Sequence, residues 1–188
     1  CKDYKLIIAK SGEGELAAAA AVQHLISKHG VDMVVNFGVV GGLTPEMSKA
    51  KTCIVERVVH YQFDISQIDP VKVGQHTGYD DIYLYPDKKL FKKALELHPE
   101  LLPVTCASGD RFVGKAEDKA ALNRDFDAEI CEMEAAGIVL TCDRCGVPCL
   151  LIKTVSDGIT GGAEEFLKEV SRSADICLEI TDEIMAVL

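Results

Sequence analysis

One stretch of the sequence decides the fold class, namely Val147-Pro148-Cys149-Leu150-Leu151-Ile152-Lys153-Thr154-Val155-Ser156-Asp157-Gly158. A short apolar run with β-branched residues and a turn after it predicts a strand that is buried on both faces. Ligands of α/β proteins bind at the sheet edge where such strands end. We therefore expect Asp157 to be a partly desolvated acid that can protonate a leaving group. The alternative is a turn Asp that caps the next helix.

Strands and helices alternate along the rest of the chain. The predicted strands are Tyr4 to Ala9, Asp32 to Phe37, Thr52 to Val59, Leu102 to Ala107, Asp127 to Met133 and the run that ends at Asp157, and the predicted helices are Glu13 to Lys28, Asp87 to Leu97, Glu134 to Cys145 and Ala163 to Ala186. This order predicts a mixed, mostly parallel twisted sheet flanked by helices. The length of 188 residues predicts a single domain over residues 1–188.

The charge balance excludes two classes of partner. The chain has 20 Lys and Arg residues against 30 Asp and Glu residues, a net charge of −10. Such a surface repels phosphate backbones and anionic lipids, so we expect neither nucleic acid nor membrane as a partner. No apolar stretch reaches the length of a bilayer span and no signal peptide opens the chain, so we expect a soluble, cytoplasmic protein.

The eight cysteines do not predict a metal centre. Most of them lie in apolar runs, where a free Cys behaves as a small core residue. Cys142-Asp143-Arg144-Cys145 is an isolated CxxC motif without a second pair or a His at ligand spacing. We expect no metal, no cofactor and no disulfide framework.

The segment from His60 to Pro86 is too long for a simple connection and contains most of the tyrosines. Loops of this size usually cover a site or contact another subunit. A ligand lid, a dimer contact and a loop packed on its own domain all remain open.

Two glycine-rich segments are candidate ligand sites. Gly12-Glu13-Gly14-Glu15-Leu16-Ala17 matches a dinucleotide-binding motif, but its two acidic residues would repel a pyrophosphate, which favours a simple strand-to-helix turn. Asn36-Phe37-Gly38-Val39-Val40-Gly41-Gly42 follows the second predicted strand, and we expect it to be a loop whose backbone amides a ligand can approach. It contains no Lys or Arg, which favours an uncharged ligand.

Four segments carry a resemblance to a known family: residues 36–43, 108–113, 132–136 and 154–157. Together they resemble the nucleoside phosphorylase and nucleosidase superfamily, most closely the 5′-methylthioadenosine/S-adenosylhomocysteine nucleosidases. The combination of Glu132-Met133-Glu134-Ala135 with Val155-Ser156-Asp157 is fairly specific, and the similarity spans essentially the whole chain. The resemblance implies a nucleoside phosphorylase-like fold, a purine nucleoside as the substrate and a homodimer.

The resemblance also implies roles for individual residues. Asp157 would protonate N7 of the purine as the glycosidic bond breaks, and Ser156 would orient that acid. Glu134 would bind the ribose hydroxyls and stabilise the cationic sugar, with Met133 packed on the ring.

The resemblance also implies which residues contact the base and which lie in the ligand loop, the glycine-rich segment at residues 36–42. Phe112 would stack on the base, the backbone at Val113 would read the purine edge, and Gly38 and Val39 would lie in the ligand loop.

The sequence departs from the family pattern in two respects. Family nucleosidases carry an N-terminal Glu that activates water, whereas this chain begins after that point and Glu13 and Glu15 belong to another loop. We expect a shortened chain, a different carboxylate in that role, or impaired hydrolysis. Val39 replaces a usual Ser, and Asn36 replaces the phosphate-binding Arg of phosphorylases, which favours water as the acceptor.

We therefore expect a purine nucleosidase acting on adenosine-type nucleosides such as 5′-methylthioadenosine or S-adenosylhomocysteine, with a role in methionine salvage. A purine nucleoside phosphorylase and a catalytically weak nucleoside-binding protein remain as alternatives. A dinucleotide-binding protein is the least favoured.

Overall fold

A computed structural model describes residues 5–186 of the chain. Its helices are α1 (Glu15–His29), α2 (Lys88–Leu97), α3 (Ala116–Phe126), α4 (Ala135–Cys145) and α5 (Gly162–Met185), and its strands are β1 (Val34–Gly42), β2 (Thr52–His60), β3 (Tyr83–Leu84), β4 (Leu102–Ser108), β5 (Ile130–Glu132) and β6 (Cys149–Asp157). None of the helices within this range is both long and apolar enough to cross a membrane.

The strands form one mixed sheet in the order β3-β2-β4-β5-β1-β6. Strand β6 pairs in parallel with β1 and antiparallel with β2, so the sheet curls until β6 meets β2. The two longest ladders, β1 with β6 and β2 with β4, are parallel. The predicted fold class, an α/β protein with a mixed, mostly parallel sheet, is confirmed.

Strand β6 lies at the centre of this arrangement. All nine of its residues are buried, including the polar residues Lys153, Thr154, Ser156 and Asp157. Apolar side chains of β6 reach two hydrophobic clusters, since Leu151 and Val155 belong to one cluster and Leu150 and Ile152 to another. A strand covered on both sides cannot leave a charge without a partner, so its polar side chains must be paired inside the protein.

Helix ends follow local sequence signals. Gly30 ends α1 and Gly146 ends α4, each in the left-handed conformation with φ of 62° and 65°. Glycine has no Cβ to oppose this backbone shape. Asp87 precedes α2, and its carboxylate accepts hydrogen bonds from the backbone N–H groups of Lys89 and Leu90.

Two local predictions are wrong, and one helix is missing from the prediction. Residues 5–9 form no strand, because they pair with no other strand in the described range, and Tyr4 lies outside that range. The predicted loop at residues 38–42 is the second half of β1, because it continues the ladder with β6. Helix α3 was not predicted, because only Lys119 and Leu122 of its residues are buried and it lacks an apolar stripe.

The segment between β2 and α2 packs largely on itself. The rings of His60, Phe63 and His76 stack, with ring centroids of Phe63 and His76 4.1 Å apart. The guanidinium of Arg57 lies 4.1 Å from the ring centre of Tyr83. These contacts favour the interpretation of a loop packed on its own domain over that of a ligand lid.

Candidate active site

A cavity of about 310 Å³ opens at the carboxyl ends of the strands. This volume is within the range of small-molecule sites, about 300–1,000 Å³. Its walls come from the turn before α1, from β1, from the segment before α3, from β5 and the start of α4, from the end of β6 and from α5. The lining residues include Lys10, Glu13, Gly38, Val39, Arg111, Phe112, Val113, Cys131, Met133, Glu134, Lys153, Asp157 and Phe166.

Asp157 lies in the cavity wall at the end of β6 and is 1% exposed. Its Oδ2 is 2.5 Å from Nζ of Lys119 on α3. Its Oδ1 is 3.0 Å from the hydroxyl of Ser156, which also lies 3.2 Å from the carbonyl oxygen of Val40. Both carboxyl oxygens therefore have a polar partner, and the side chain is held in one orientation. The alternative of a turn Asp that caps a helix does not describe this geometry.

Glu134 and Met133 lie in the same wall, immediately before α4. Oε1 of Glu134 accepts a hydrogen bond of 2.9 Å from the backbone N–H of Gly14. Burial and the negative charge of Glu132 raise the pKa of Glu134 above its usual range. The half-buried carboxyl group of Glu134 therefore lines the same cavity as Asp157.

Three aromatic residues line this cavity, namely Phe37, Phe112 and Phe166. Phe112 is 44% exposed, and its ring makes an edge contact with Phe166 of α5 at a centroid distance of 5.4 Å. Phe166 lines the cavity from α5. Val113 is buried beside Phe112 and also contributes to the wall. An exposed ring backed by a second ring provides a stacking surface for a planar base.

Gly38 and Val39 line the cavity from β1 rather than from a loop. A Cβ atom at Gly38 would lie 3.9 Å from Nζ of Lys153, a buried cation that also lines the cavity. The segment itself contains no Lys or Arg, so this cation comes from the neighbouring strand β6. The sequence contained the signal, since a Lys within a strand buried on both faces requires a partner.

That partner is Glu132, whose Oε2 lies 3.1 Å from Nζ of Lys153. The Glu132 carboxylate also accepts hydrogen bonds from the backbone N–H groups of Glu134 and Ala135 and from the hydroxyl of Ser108. Burial alone would raise the pKa of Glu132, but Lys153, Ser108 and the Ala135 N–H more than offset it, so its pKa lies below the usual range. This anion fixes the start of α4 and hence the position of Glu134.

Glu15 at the start of α1 completes the buried network. Its Oε1 lies 2.5 Å from the Ser108 hydroxyl and its Oε2 accepts a hydrogen bond from the backbone N–H of Gly137. Burial, with the nearby charge of Glu132, raises the pKa of Glu15 to about 8. Glu15 is therefore a largely protonated structural residue at neutral pH, not a solvent-exposed loop acid.

The turn before α1 does not have the features of a dinucleotide site. Gly12 and Gly14 have φ angles of 85° and 96°, values that glycine adopts readily. The N–H groups that follow are already used, because Gly14 donates to Glu134 and Glu15 donates to Oδ1 of Asp110. The amides that would hold a pyrophosphate are thus bound to carboxylates.

The site has the groups needed for acid catalysis at a planar leaving group. Burial raises the pKa of the Cys131 thiol to about 12, so this cavity residue is a poor nucleophile at neutral pH. Within residues 5–186, no group of three or more His, Cys, Asp and Glu side chains could hold a metal ion. The carboxyl groups in the cavity wall are of a type that can transfer a proton or stabilise a developing positive charge.

The fold and cavity define a class of α/β proteins with a small-molecule site at the sheet edge. The model of the Phosphorylase superfamily matches residues 1–186. The chain therefore belongs to the Phosphorylase superfamily, as the resemblance predicts.

Its relatives include nucleosidases. The aminodeoxyfutalosine nucleosidase of Campylobacter jejuni is 30% identical over 93% of this chain and 78% of its own length. The 5′-methylthioadenosine/S-adenosylhomocysteine nucleosidase of Hydrogenovibrio crunogenus is 32% identical over 93% of this chain and 79% of its own length. The structure of futalosine hydrolase from Helicobacter pylori has a TM-score of 0.89 and 26% identity, and covers 95% of this chain and 78% of that chain. The predicted enzyme class, a nucleosidase, is confirmed at this level.

Proposed function

We propose that the protein is a purine nucleosidase that hydrolyses adenosine-type nucleosides such as 5′-methylthioadenosine or S-adenosylhomocysteine. The observation that carries this proposal is that Asp157, Glu134 and Phe112 line one cavity. These are the three groups that purine hydrolysis requires: an acid for the base, an anion for the sugar and a surface for the ring. The nucleosidases among the relatives support the same conclusion.

The mechanism follows from this arrangement. Phe112 stacks on the purine, and Asp157 delivers a proton to N7 as the bond between C1′ and N9 breaks. The electron pair of that bond leaves with the base, and positive charge develops on the sugar. The charge favours the ionised form of Glu134, which stabilises it. Water then adds to C1′ and loses a proton, which gives the free base and the free sugar. Protonation by a placed acid contributes about 10²–10⁴-fold in rate.

Two other substrate assignments have specific support. Aminodeoxyfutalosine is a candidate because the Campylobacter jejuni relative is named for it. Phosphate as the acceptor is a candidate because Lys153, Lys10 and Arg111 line the cavity. The charge of Lys153 is already compensated by Glu132 at 3.1 Å, which makes water the favoured acceptor.

Product analysis tests the proposal. The protein is incubated with 5′-methylthioadenosine, S-adenosylhomocysteine and aminodeoxyfutalosine, each with and without phosphate, and the products are separated by chromatography. Adenine release without phosphate supports the nucleosidase. Release that depends on phosphate supports the phosphorylase, and binding without turnover supports the nucleoside-binding protein. The rates with the three nucleosides rank the substrates.

We also propose a homodimer, an assignment that the resemblance implies. Leu16 and Ile68 are 85% and 87% exposed and offer apolar surface for such a contact. Sedimentation velocity tests this, and a monomer at micromolar concentration would contradict it.

A further inference from the structure

Lys119 lies behind the acid of the proposed site. It projects from α3, is fully buried, and is absent from the cavity-lining residues of the described chain. Its Nζ lies 2.5 Å from Oδ2 of Asp157 and 2.7 Å from the carbonyl oxygen of Gly158. The ammonium therefore contacts the acid and the turn that follows it, and any effect on a ligand must act through Asp157.

A buried ion pair at this position is not explained by stability alone. Removing two charges from water is costly, and well-packed apolar residues of similar volume often stabilise a protein as well or better. A lysine is also rarely fully buried. The pair therefore points to a role for the Lys119 charge in the proposed site. Asp157 lines the cavity, whereas Lys119 lies behind it.

The backbone of β1 packs closely against the ion pair of Lys119 and Asp157. A Cβ atom at Gly41 would lie 3.3 Å from Oδ2 of Asp157, 3.4 Å from Nζ of Lys119 and 3.1 Å from Sγ of Cys131. The backbone of β1 thus passes close to the ion pair, and a larger residue would have to displace it. Because Lys119 is bound to Oδ2 and Ser156 to Oδ1, rotation of the carboxyl group would break one contact or the other.

Helix α3 also connects the acid with the base-stacking segment. Phe112 and Val113 line the cavity, and α3 begins at Ala116, only three residues after Val113. Lys119 lies in the first turn of this helix and reaches across to the end of β6. The ion pair therefore ties the segment that would hold the base to the residue that would protonate it.

We propose that Lys119 is a positioning residue that orients Asp157 for protonation of the leaving base, and that the ion pair is the state Asp157 reaches once that proton has been transferred. This inference rests on the proposed nucleosidase function. Displacements of about 1 Å in a catalytic geometry can cost about 100-fold in rate, so loss of the contact should reduce turnover about 10–100-fold.

The test uses two leaving groups. Lys119→Met removes the charge and keeps most of the stem. Its kcat is measured with 5′-methylthioadenosine, whose base needs a proton, and with 4-nitrophenyl 5-methylthioriboside, whose nitrophenolate leaves without one. We expect kcat for the purine to fall about 10–100-fold, with KM changed less than threefold, and kcat for the nitrophenyl substrate to stay within about twofold. In an Asp157→Asn background the same substitution should have no further effect.

Lys115→Met is the matched control, because Lys115 is exposed just before the same helix and does not line the cavity. If Lys119→Met does not fold, Lys119→Arg carries the test, since it keeps the charge but moves the donor atoms and should slow only the purine reaction. Equal losses with both substrates, or no loss with either, would overturn the inference. If the unmodified protein releases no base, the proposed function itself is rejected, which is a separate outcome.

Discussion

Glu15 and Glu132 contact the same hydroxyl group, that of Ser108, at 2.5 Å and 2.6 Å from their Oε1 atoms. A hydroxyl has one hydrogen and can donate it to one carboxylate only. The second contact therefore needs a proton on the other carboxyl group. The pKa of Glu15, raised to about 8 by burial and by Glu132, identifies Glu15 as the protonated partner.

This shared contact predicts a pH-dependent stability. The folded protein holds the Glu15 proton up to about pH 8, whereas the unfolded chain releases it near pH 4.5. The contribution of Glu15 is therefore fully present below pH 4.5 and is lost as the pH rises towards 8. We expect Glu15→Gln to lose less stability than the unmodified protein between pH 5 and pH 8, by about 1 kcal/mol or more. Urea denaturation at each pH measures this.

Glu13→Gln is the control for that prediction, because Glu13 belongs to the same turn but is exposed. It should follow the pH dependence of the unmodified protein. Parallel stability curves for Glu15→Gln and the unmodified protein would show that Glu15 is ionised in the folded state.

Lys153→Met should destabilise the protein strongly. It would leave the Glu132 carboxylate buried without its cation, and breaking a buried pair in this way costs about 3–5 kcal/mol. Urea denaturation gives the change in the free energy of unfolding. Lys51→Met is the control, since Lys51 is exposed and should change stability by less than about 0.5 kcal/mol. A loss no larger than that of the control would mean that Glu132 does not need the charge.

Phe112→Ala should raise KM for purine nucleosides about tenfold, because an aromatic stacking contact is worth about 1–3 kcal/mol per base. The effect on kcat should be smaller, since stacking is present before and during the reaction. Steady-state kinetics with 5′-methylthioadenosine measure both. Tyr85→Ala is the matched control, because Tyr85 and Phe112 are both 44% exposed but Tyr85 lies outside the cavity. An unchanged KM in Phe112→Ala would place the base elsewhere.

Glu134→Gln should slow hydrolysis with every leaving group, because the charge on the sugar develops whichever group departs. We expect kcat/KM to fall about 100-fold or more with both a purine nucleoside and a nitrophenyl riboside. Glu117→Gln, an exposed substitution on α3, is the control. A loss confined to the purine substrate would assign Glu134 to the base rather than to the sugar.

The sequence predicts the site best where a single strand or helix determines the position of a site residue. The apolar run that ends in Ser156 and Asp157 requires a buried strand, and the end of such a strand lies at the ligand edge of the sheet. The strands and helices with clear periodicity, such as α2 and α5, were predicted within one or two residues of their observed ends. Neither inference needed tertiary information.

The parts that the sequence does not predict depend on contacts between distant segments. Helix α3 buries one lysine and one leucine, so its pattern resembles that of a loop, and Lys119 was missed with it. The glycines of β1 indicate a loop in the sequence, yet Gly41 lies in a strand where a side chain would crowd Asp157 and Lys119. Only the packed structure shows that Gly41 provides space for a buried ion pair.

The kinetics of Asp157→Asn test the central claim most directly. Asparagine keeps the size of the side chain but cannot deliver the acid proton, so 5′-methylthioadenosine should still bind with a Kd within about threefold while kcat falls about 10²–10⁴-fold. Binding is measured by isothermal titration and turnover by adenine release. A variant that binds normally and no longer turns over supports Asp157 as the acid that protonates the base. A variant with the turnover of the unmodified protein would contradict the account.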